Sequence, residues 1–384
     1  MSVTAAHGFR AAGVAAGLKT SGGLDVALVV NDGPSDAAAA VFTANRVKAA
    51  PVLWSRQVIA DGRLRAVILN AGGANACTGP AGFADAHRTA EHTAAVLGIG
   101  PGEVAVCSTG LIGERLPMPE LLAGVAAAAA GLSAAGGADA ADAIRTTDTV
   151  PKQSAVTHED GWTVGGMAKG AGMLAPGLAT MLCVLTTDAV LDGAALDKAL
   201  RAATRISFDR VDADGCMSTN DTVVLLASGA SGSAPEPGEF GRALNQVCLD
   251  LARQLLADAE GATKEVAVQV AGAAGEDDAV EVGRSIAGNN LLKCALFGND
   301  PNWGRILAAV GTTGAAFEPD KLDVAINGVQ VCRAGAAGQD RSLVDLTGRG
   351  VHIFVDLHAG DSEATIWTND LSHAYVEENS AYSS

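Results

Sequence analysis

Lys169-Gly170-Ala171-Gly172-Met173-Leu174-Ala175-Pro176-Gly177-Leu178-Ala179-Thr180-Met181-Leu182 lies near the middle of a 384-residue chain, and the reading turns on it. Glycines and a proline punctuate regular structure, and here they deliver one Thr after a small Ala. Behind it runs the apolar segment Met181-Leu182-Cys183-Val184-Leu185, strand-like in composition. The plain reading of Thr180 is a strand-start residue. The alternative is chemical. A Thr hydroxyl is a weak nucleophile, but a Thr at a chain's N-terminus carries its own base, because the α-amine titrates at about 7.7–8.0, well below a lysine. Cutting Ala179–Thr180 would create such a catalyst and divide the chain into residues 1–179 and 180–384.

Outward from this stretch, runs rich in β-branched residues and bounded by Gly, Asp or Asn predict strands. They are Val26 to Val30, Ala66 to Leu69, Val104 to Cys107, Met181 to Leu185, Thr222 to Leu226, Val266 to Val270 and Val351 to Val355. Helical patterns alternate with them. Phe240, Leu244, Val247, Leu251 and Leu255 recur at three- and four-residue intervals, one face of an amphipathic helix over 239–256. The Ala-rich Leu121 to Ala130 and Ala194 to Ala203 also predict helices, and Gly229 to Gly238 and Ala334 to Asp340 predict loops. The alternation predicts a layered α/β or α+β protein. With strand-like segments on both sides of Thr180, the two pieces are expected to interleave in one core.

The composition, 48% hydrophobic, supports a large core. A formal charge of −17 opposes nucleic-acid binding, which is built on phosphate neutralisation by Lys and Arg. No apolar run reaches the length of a bilayer span, and the first residues lack the basic head and apolar centre of a signal peptide, so no membrane partner is expected. Seven cysteines without a C-x-x-C pair make neither a metal nor a disulfide framework and suit a reducing cytoplasm. Gly170-x-Gly172-x-x-Ala175 fits a dinucleotide fingerprint formally, but Pro176 follows where a helix should grow. Asp212-x-Asp214-Gly215 evokes a calcium loop without the remaining ligands. There is no H-E-x-x-H and no G-x-S-x-G, so neither a metalloenzyme nor a conventional Ser-His-Asp hydrolase is expected, and no metal or cofactor.

A series of short motifs runs along nearly the whole chain. In order they include Ala40-Val41-Phe42-Thr43-Ala44-Asn45, Asn70 to Gly79 (NAGGANACTG), Ser108-Thr109-Gly110-Leu111-Ile112-Gly113 and Thr146-Thr147-Asp148-Thr149. The Lys169 to Thr180 run follows, then Ser218-Thr219-Asn220-Asp221, Glu260-Gly261-Ala262-Thr263-Lys264, Phe297 to Arg305 and the closing Asn379 to Ser384. In order and spacing these resemble the ornithine acetyltransferase family, the bifunctional glutamate N-acetyltransferase and amino-acid acetyltransferase precursors. The chain departs from it with Ser383-Ser384 where Thr-Thr is commoner and Asn299 where Glu is more usual.

The resemblance implies an N-terminal-nucleophile-like α/β layered fold, similar to that of the aminopeptidase relatives, and self-cleavage between Ala179 and Thr180. It implies Thr180 as nucleophile, Thr109 and Gly110 as the oxyanion pair, and substrate binding by Thr146, Lys169, Thr180, Glu260, Asn379 and Ser384. The plainer readings of these residues are a helix cap for Thr109, a solvated charge for Lys169, a helix-end acid for Glu260 and a frayed tail for Asn379 to Ser384. The activity implied is acetyl transfer from N2-acetyl-L-ornithine to L-glutamate through an acetyl-Thr180 ester in arginine biosynthesis, with acetyl-CoA as a further candidate donor and the two pieces assembled as a heterotetramer. A role in a related secondary pathway stays open. The rivals are an N-terminal-nucleophile aminopeptidase or amidase, with water as acceptor, and an uncleaved amino-acid-binding protein.

Overall fold

The structure, a computed structural model, describes residues 2–20, 22–175 and 181–381. The elements in chain order begin with β1 (Phe9–Val14), β2 (Val26–Asn31), β3 (Ala37–Phe42), α1 (Ala50–Val58), β4 (Ala66–Gly73), α2 (Gly79–Leu97), β5 (Val104–Leu111), α3 (Met118–Ala130) and α4 (Gly137–Ala143). Then come β6 (Lys152–Thr157), β7 (Thr163–Lys169), β8 (Leu182–Thr187), α5 (Gly193–Ile206), β9 (Thr222–Ala227), α6 (Pro237–Ala257), β10 (Glu265–Ala273), α7 (Glu276–Ala287), α8 (Asn290–Phe297) and α9 (Trp303–Val310). The chain closes with β11 (Asp323–Ile326), β12 (Val329–Arg333), β13 (Ala336–Ala337), β14 (Gly350–Asp356), β15 (Ser362–Asn369) and α10 (His373–Ala381).

Two sheets face each other. The first has the order β1-β2-β4-β5, the second β3-β9-β8-β7-β6. Side chains alternate across a strand, so each strand feeds two cores. On β2, Val26, Leu28 and Val30 pack with α1, α2 and α3, while Ala27 and Val29 point at the second sheet. On β8, Leu182 and Val184 meet the first sheet, while Cys183 and Leu185 pack with α5 and α6. The result is four layers, helix, sheet, sheet, helix. The 239–256 periodicity is realised in α6, which buries Phe240, Leu244, Val247, Leu251 and Leu255.

All seven expected strands are present, extended by a residue or more at some ends. The two expected loops need correction: Pro237, suited to a first helical turn, already opens α6, and Ala336–Ala337 pair with β12. A third sheet, β13-β12-β11-β14-β10-β15, carries its own core with α7, α8 and α9, a unit beside the four layers that no sequence signal set apart. The second sheet interleaves the two sides of position 180: β3, β6 and β7 precede it, and β8 and β9 follow it. No helix among the described residues is long and apolar enough to cross a membrane.

Candidate active site

The site gathers where strand ends of both layers meet. β4 and β5 run parallel, and the ground beyond the carboxyl ends of parallel strands is where α/β proteins commonly place ligands. There a cleft is lined by Thr109 and Gly110 at the end of β5, Lys169 at the end of β7, and Ser218, Thr219 and Asn220 just before β9. Thr146, Glu260 and Asn379 complete its polar wall. The expected site residues Thr109, Gly110, Thr146, Lys169, Glu260 and Asn379 therefore share one cleft. Ala179, Thr180 and Ser384 lie outside the described residues.

Thr109 is buried in a strand, and the next helix begins only at Met118, so it is no helix cap. Its Oγ1 accepts a hydrogen bond from Lys169 Nζ at 3.1 Å. With an ammonium on an oxygen lone pair, the hydroxyl proton stays available to donate elsewhere. Gly110 has φ +124°, in the region that favours glycine, and a Cβ there would lie 2.7 Å from the Gly72 and Gly73 backbone. Only glycine lets β5 close against β4 at this point.

Lys169 is 2% exposed, not a solvated charge. Burial pushes its ammonium below the ordinary lysine range, and the nearby Asp148 carboxylate works against that. Asp148 Oδ1 accepts from Gly170 N–H at 2.6 Å and from Lys152 Nζ at 2.5 Å, and Oδ2 accepts from Thr146 N–H at 3.0 Å. Burial alone would raise this carboxyl, but the charges of Lys169 and Lys152 and the Gly170 amide hold it at about 2. One carboxylate thus fixes the backbone of Thr146, the exit from β7 and the charge beside Lys169.

On the opposite wall, Glu260 is 8% exposed, and its Oε2 accepts from Asn379 Nδ2 at 2.9 Å. The tail as far as Ala381 is helical, and α10 lays Asn379 into the cleft, so the frayed-tail reading fails for it. A Cβ on Gly172 would come within 2.6 Å of the Glu260 carboxylate, so the glycine makes room for the acid.

Asn220 is a site residue that the sequence reading passed over, though it lies in a quoted motif. Its Nδ2 donates to the carbonyls of Ala74 at 2.7 Å and Ser108 at 2.8 Å, tying the entry to β9 onto the ends of β4 and β5. Among the described lining residues Glu260 is the one carboxylate and no His or Cys occurs, so they do not make a metal donor set. Elsewhere His158, Asp160 and Glu239 bring ligand atoms within 4.8 Å of one another, on partly exposed ground outside the cleft.

The sequence matches the ArgJ family over residues 10–384. The arginine biosynthesis bifunctional protein ArgJ of Streptomyces coelicolor is 68% identical over 384 residues, all of both chains. A solved ArgJ chain from Bacillus halodurans, also described as an arginine biosynthesis bifunctional protein, is 37% identical with a TM-score of 0.50. The match covers 52% of this chain and 98% of that one. A solved ornithine acetyltransferase chain from Mycobacterium tuberculosis, complexed with ornithine, is 66% identical with a TM-score of 0.46, covering 47% of this chain and 96% of its own. A match over almost the entire length, with relatives this similar, makes the chain a member of the ArgJ family.

Proposed function

We propose that this protein is a self-processing ornithine acetyltransferase of arginine biosynthesis, with Thr180 as nucleophile, moving acetyl from N2-acetyl-L-ornithine to L-glutamate. The observation that carries the reading is the cleft itself. A hydroxyl with a free proton, a glycine amide, a buried ammonium and a buried carboxylate face one space beside the chain's exit from β7.

The chemistry follows in two stages. First, Thr180 Oγ attacks the Ala179 carbonyl and the amide nitrogen takes up the proton. Water then splits the resulting ester, leaving a carboxylate on Ala179 and a free amine on Thr180. Second, Thr180 Oγ, its proton taken by that amine, attacks the acetyl carbonyl of acetylornithine. The oxyanion is met by Thr109 Oγ1–H and Gly110 N–H, donors already held in place before charge develops. The proton passes to the departing ornithine nitrogen, and the glutamate amine then attacks the acetyl-Thr180 ester. Lys169 suits a substrate carboxylate and Glu260 the cationic ornithine side chain. Thr146, Asn379 and Ser384 are assigned to substrate binding with them. An amide is made for each amide broken, so no cofactor is needed.

The solved Bacillus halodurans chain supports the cut, since about half of this chain spans nearly all of it. Acetyl-CoA is assigned as a second donor because the relatives are named bifunctional. We assign the cytoplasm as the compartment and a heterotetramer, two copies of each piece, as the assembly. The test is mass spectrometry of the denatured protein with N-terminal sequencing, followed by product analysis with and without glutamate. The expected result is a fragment beginning Thr180-Met181-Leu182 and acetylglutamate formed only when glutamate is present. An uncut chain, or acetylornithine hydrolysis indifferent to glutamate, would overturn the reading.

A further inference from the structure

The loop from Asp212 to Asp221, whose first four residues were dismissed above as a calcium loop, touches the chain on both sides of the segment 176–180. On the upstream side Asp214 Oδ2 accepts from Met173 N–H at 2.7 Å, and Ala213 N–H donates to the Leu174 carbonyl at 2.5 Å. On the downstream side Asp221 Oδ1 accepts from Met181 N–H at 3.1 Å, and Thr222 N–H donates to the Met181 carbonyl at 3.1 Å. The ten-residue loop therefore holds three of these backbone groups, and Thr222, the first residue of β9, holds the fourth, two before the segment and two after it.

Two further observations mark this grip as more than loop packing. Met173 sits at φ +55°, a left-handed conformation that costs a non-glycine residue about 1–2 kcal/mol. Its amide is held there by Asp214. Asp221 is 1% exposed, and its carboxyl is buried against the Met181 amide and the Ser218 and Thr43 side chains. Burial pushes this carboxyl well above the usual carboxylate range, against the pull of the Met181 amide. Strained backbone beside a buried carboxyl is an arrangement that proteins keep where chemistry uses it.

We propose that Asp214 and Asp221 are positioning residues for self-cleavage: two carboxyls on one loop clamp the backbone on either side of Ala179–Thr180. The inference rests on the self-processing reading above. Its physical content is orientation. Intramolecular attack needs the hydroxyl within reach of the preceding carbonyl, and a misplacement of about 1 Å can lower a rate by about a hundredfold. A segment tied at both flanks searches far less space than one tied at a single end.

The experiment is a time course of cell-free synthesis of the full chain, quenched in denaturant and resolved by intact mass. In Asp214→Ala and Asp221→Ala the appearance of the fragment starting at Thr180 is expected to slow by about tenfold to a hundredfold. Asp221→Asn, which keeps an oxygen for the Met181 amide, is expected to recover part of the rate. Asp212→Ala is the matched control, because Asp212 Oδ1 accepts from Gly215 N–H and Asp212 touches neither flank; it should cleave at the wild-type rate. A variant that fails to melt cooperatively is replaced by the Glu substitution at the same position, whose displaced carboxylate should also slow cleavage. Wild-type rates in both alanine variants, or in the Glu replacements, would overturn the clamp, as would an equal slowing by Asp212→Ala. If the wild-type chain itself yields no such fragment, the self-processing reading fails first.

Discussion

Thr109 and Lys169 meet across 3.1 Å, and that single contact joins the proposed oxyanion donor to the charge beside it. Replacing Thr109 by Ala removes one donor, for which about 2.7–4 kcal/mol of transition-state stabilisation is typical. The expected result is a fall in kcat of about a hundredfold to a thousandfold in steady-state transfer assays, with little change in KM. Behind this pair stands Asp148. Its folded carboxyl is held at about 2, below the ordinary 3.8, so its contribution is fully present above about pH 4 and is lost as pH falls toward 2. In size it is of the order of 2 kcal/mol. Asp148→Asn should therefore lower stability near neutrality and flatten its acid dependence over that window, as measured by denaturant unfolding at a series of pH values. An unchanged acid limb would show that Asp148 does not supply it.

Among the elements, α10 and β7 make the clearest contrast between what the residues announced and what they did not. α10 brings Asn379 onto Glu260, a hydrogen bond to a carboxylate worth about 1.5–3 kcal/mol. Asn379→Ala should raise KM for acetylornithine by about tenfold or more while leaving self-cleavage unchanged, which separate assays of the two steps would read. The β-branched strands were legible because valines and isoleucines crowd a pleated surface well. β3 was not: four alanines open Ala37–Phe42, and alanine favours helices when nothing else decides. Pairing with β9 and burial between layers override that preference. β7 was hidden by Gly165 and Gly166, residues that usually weaken a strand. Gly166 is there for space, since a Cβ would come within 2.7 Å of Leu185 Cδ2. The site was legible as a set of motifs, but the burial of Lys169 and the tie made by Asn220 depend on contacts between residues far apart in sequence, which local pattern does not carry.

Over the whole molecule, the order β3-β9-β8-β7-β6 means that a cut at Ala179–Thr180 would not release a domain. β8 pairs with β7 across the cut, β3 pairs with β9, and two apolar cores draw on both pieces. Pulling the pieces apart would expose that interior to water. The 1–179 and 180–384 pieces should therefore travel as one species in size-exclusion chromatography and separate only in denaturant. Independent elution under native conditions would contradict the shared sheet.

The same sheet has a consequence for length. β8 is laddered on both edges, with Leu182 opposite Lys169 on one side and Thr222 on the other. A slip of one residue would turn every side chain to the wrong layer. The strand is thus a depth gauge: the two ladders fix Leu182, and with it how far the chain at Met181 stands from the sheet. Adding a residue upstream of the cut would leave both ladders in register and, with the proposed clamp slackened, slow only self-cleavage, whereas adding one inside β8 would turn the side chains beyond it to the wrong layer. The tolerance of this fold to insertion should therefore change abruptly at Leu182, where the ladders begin.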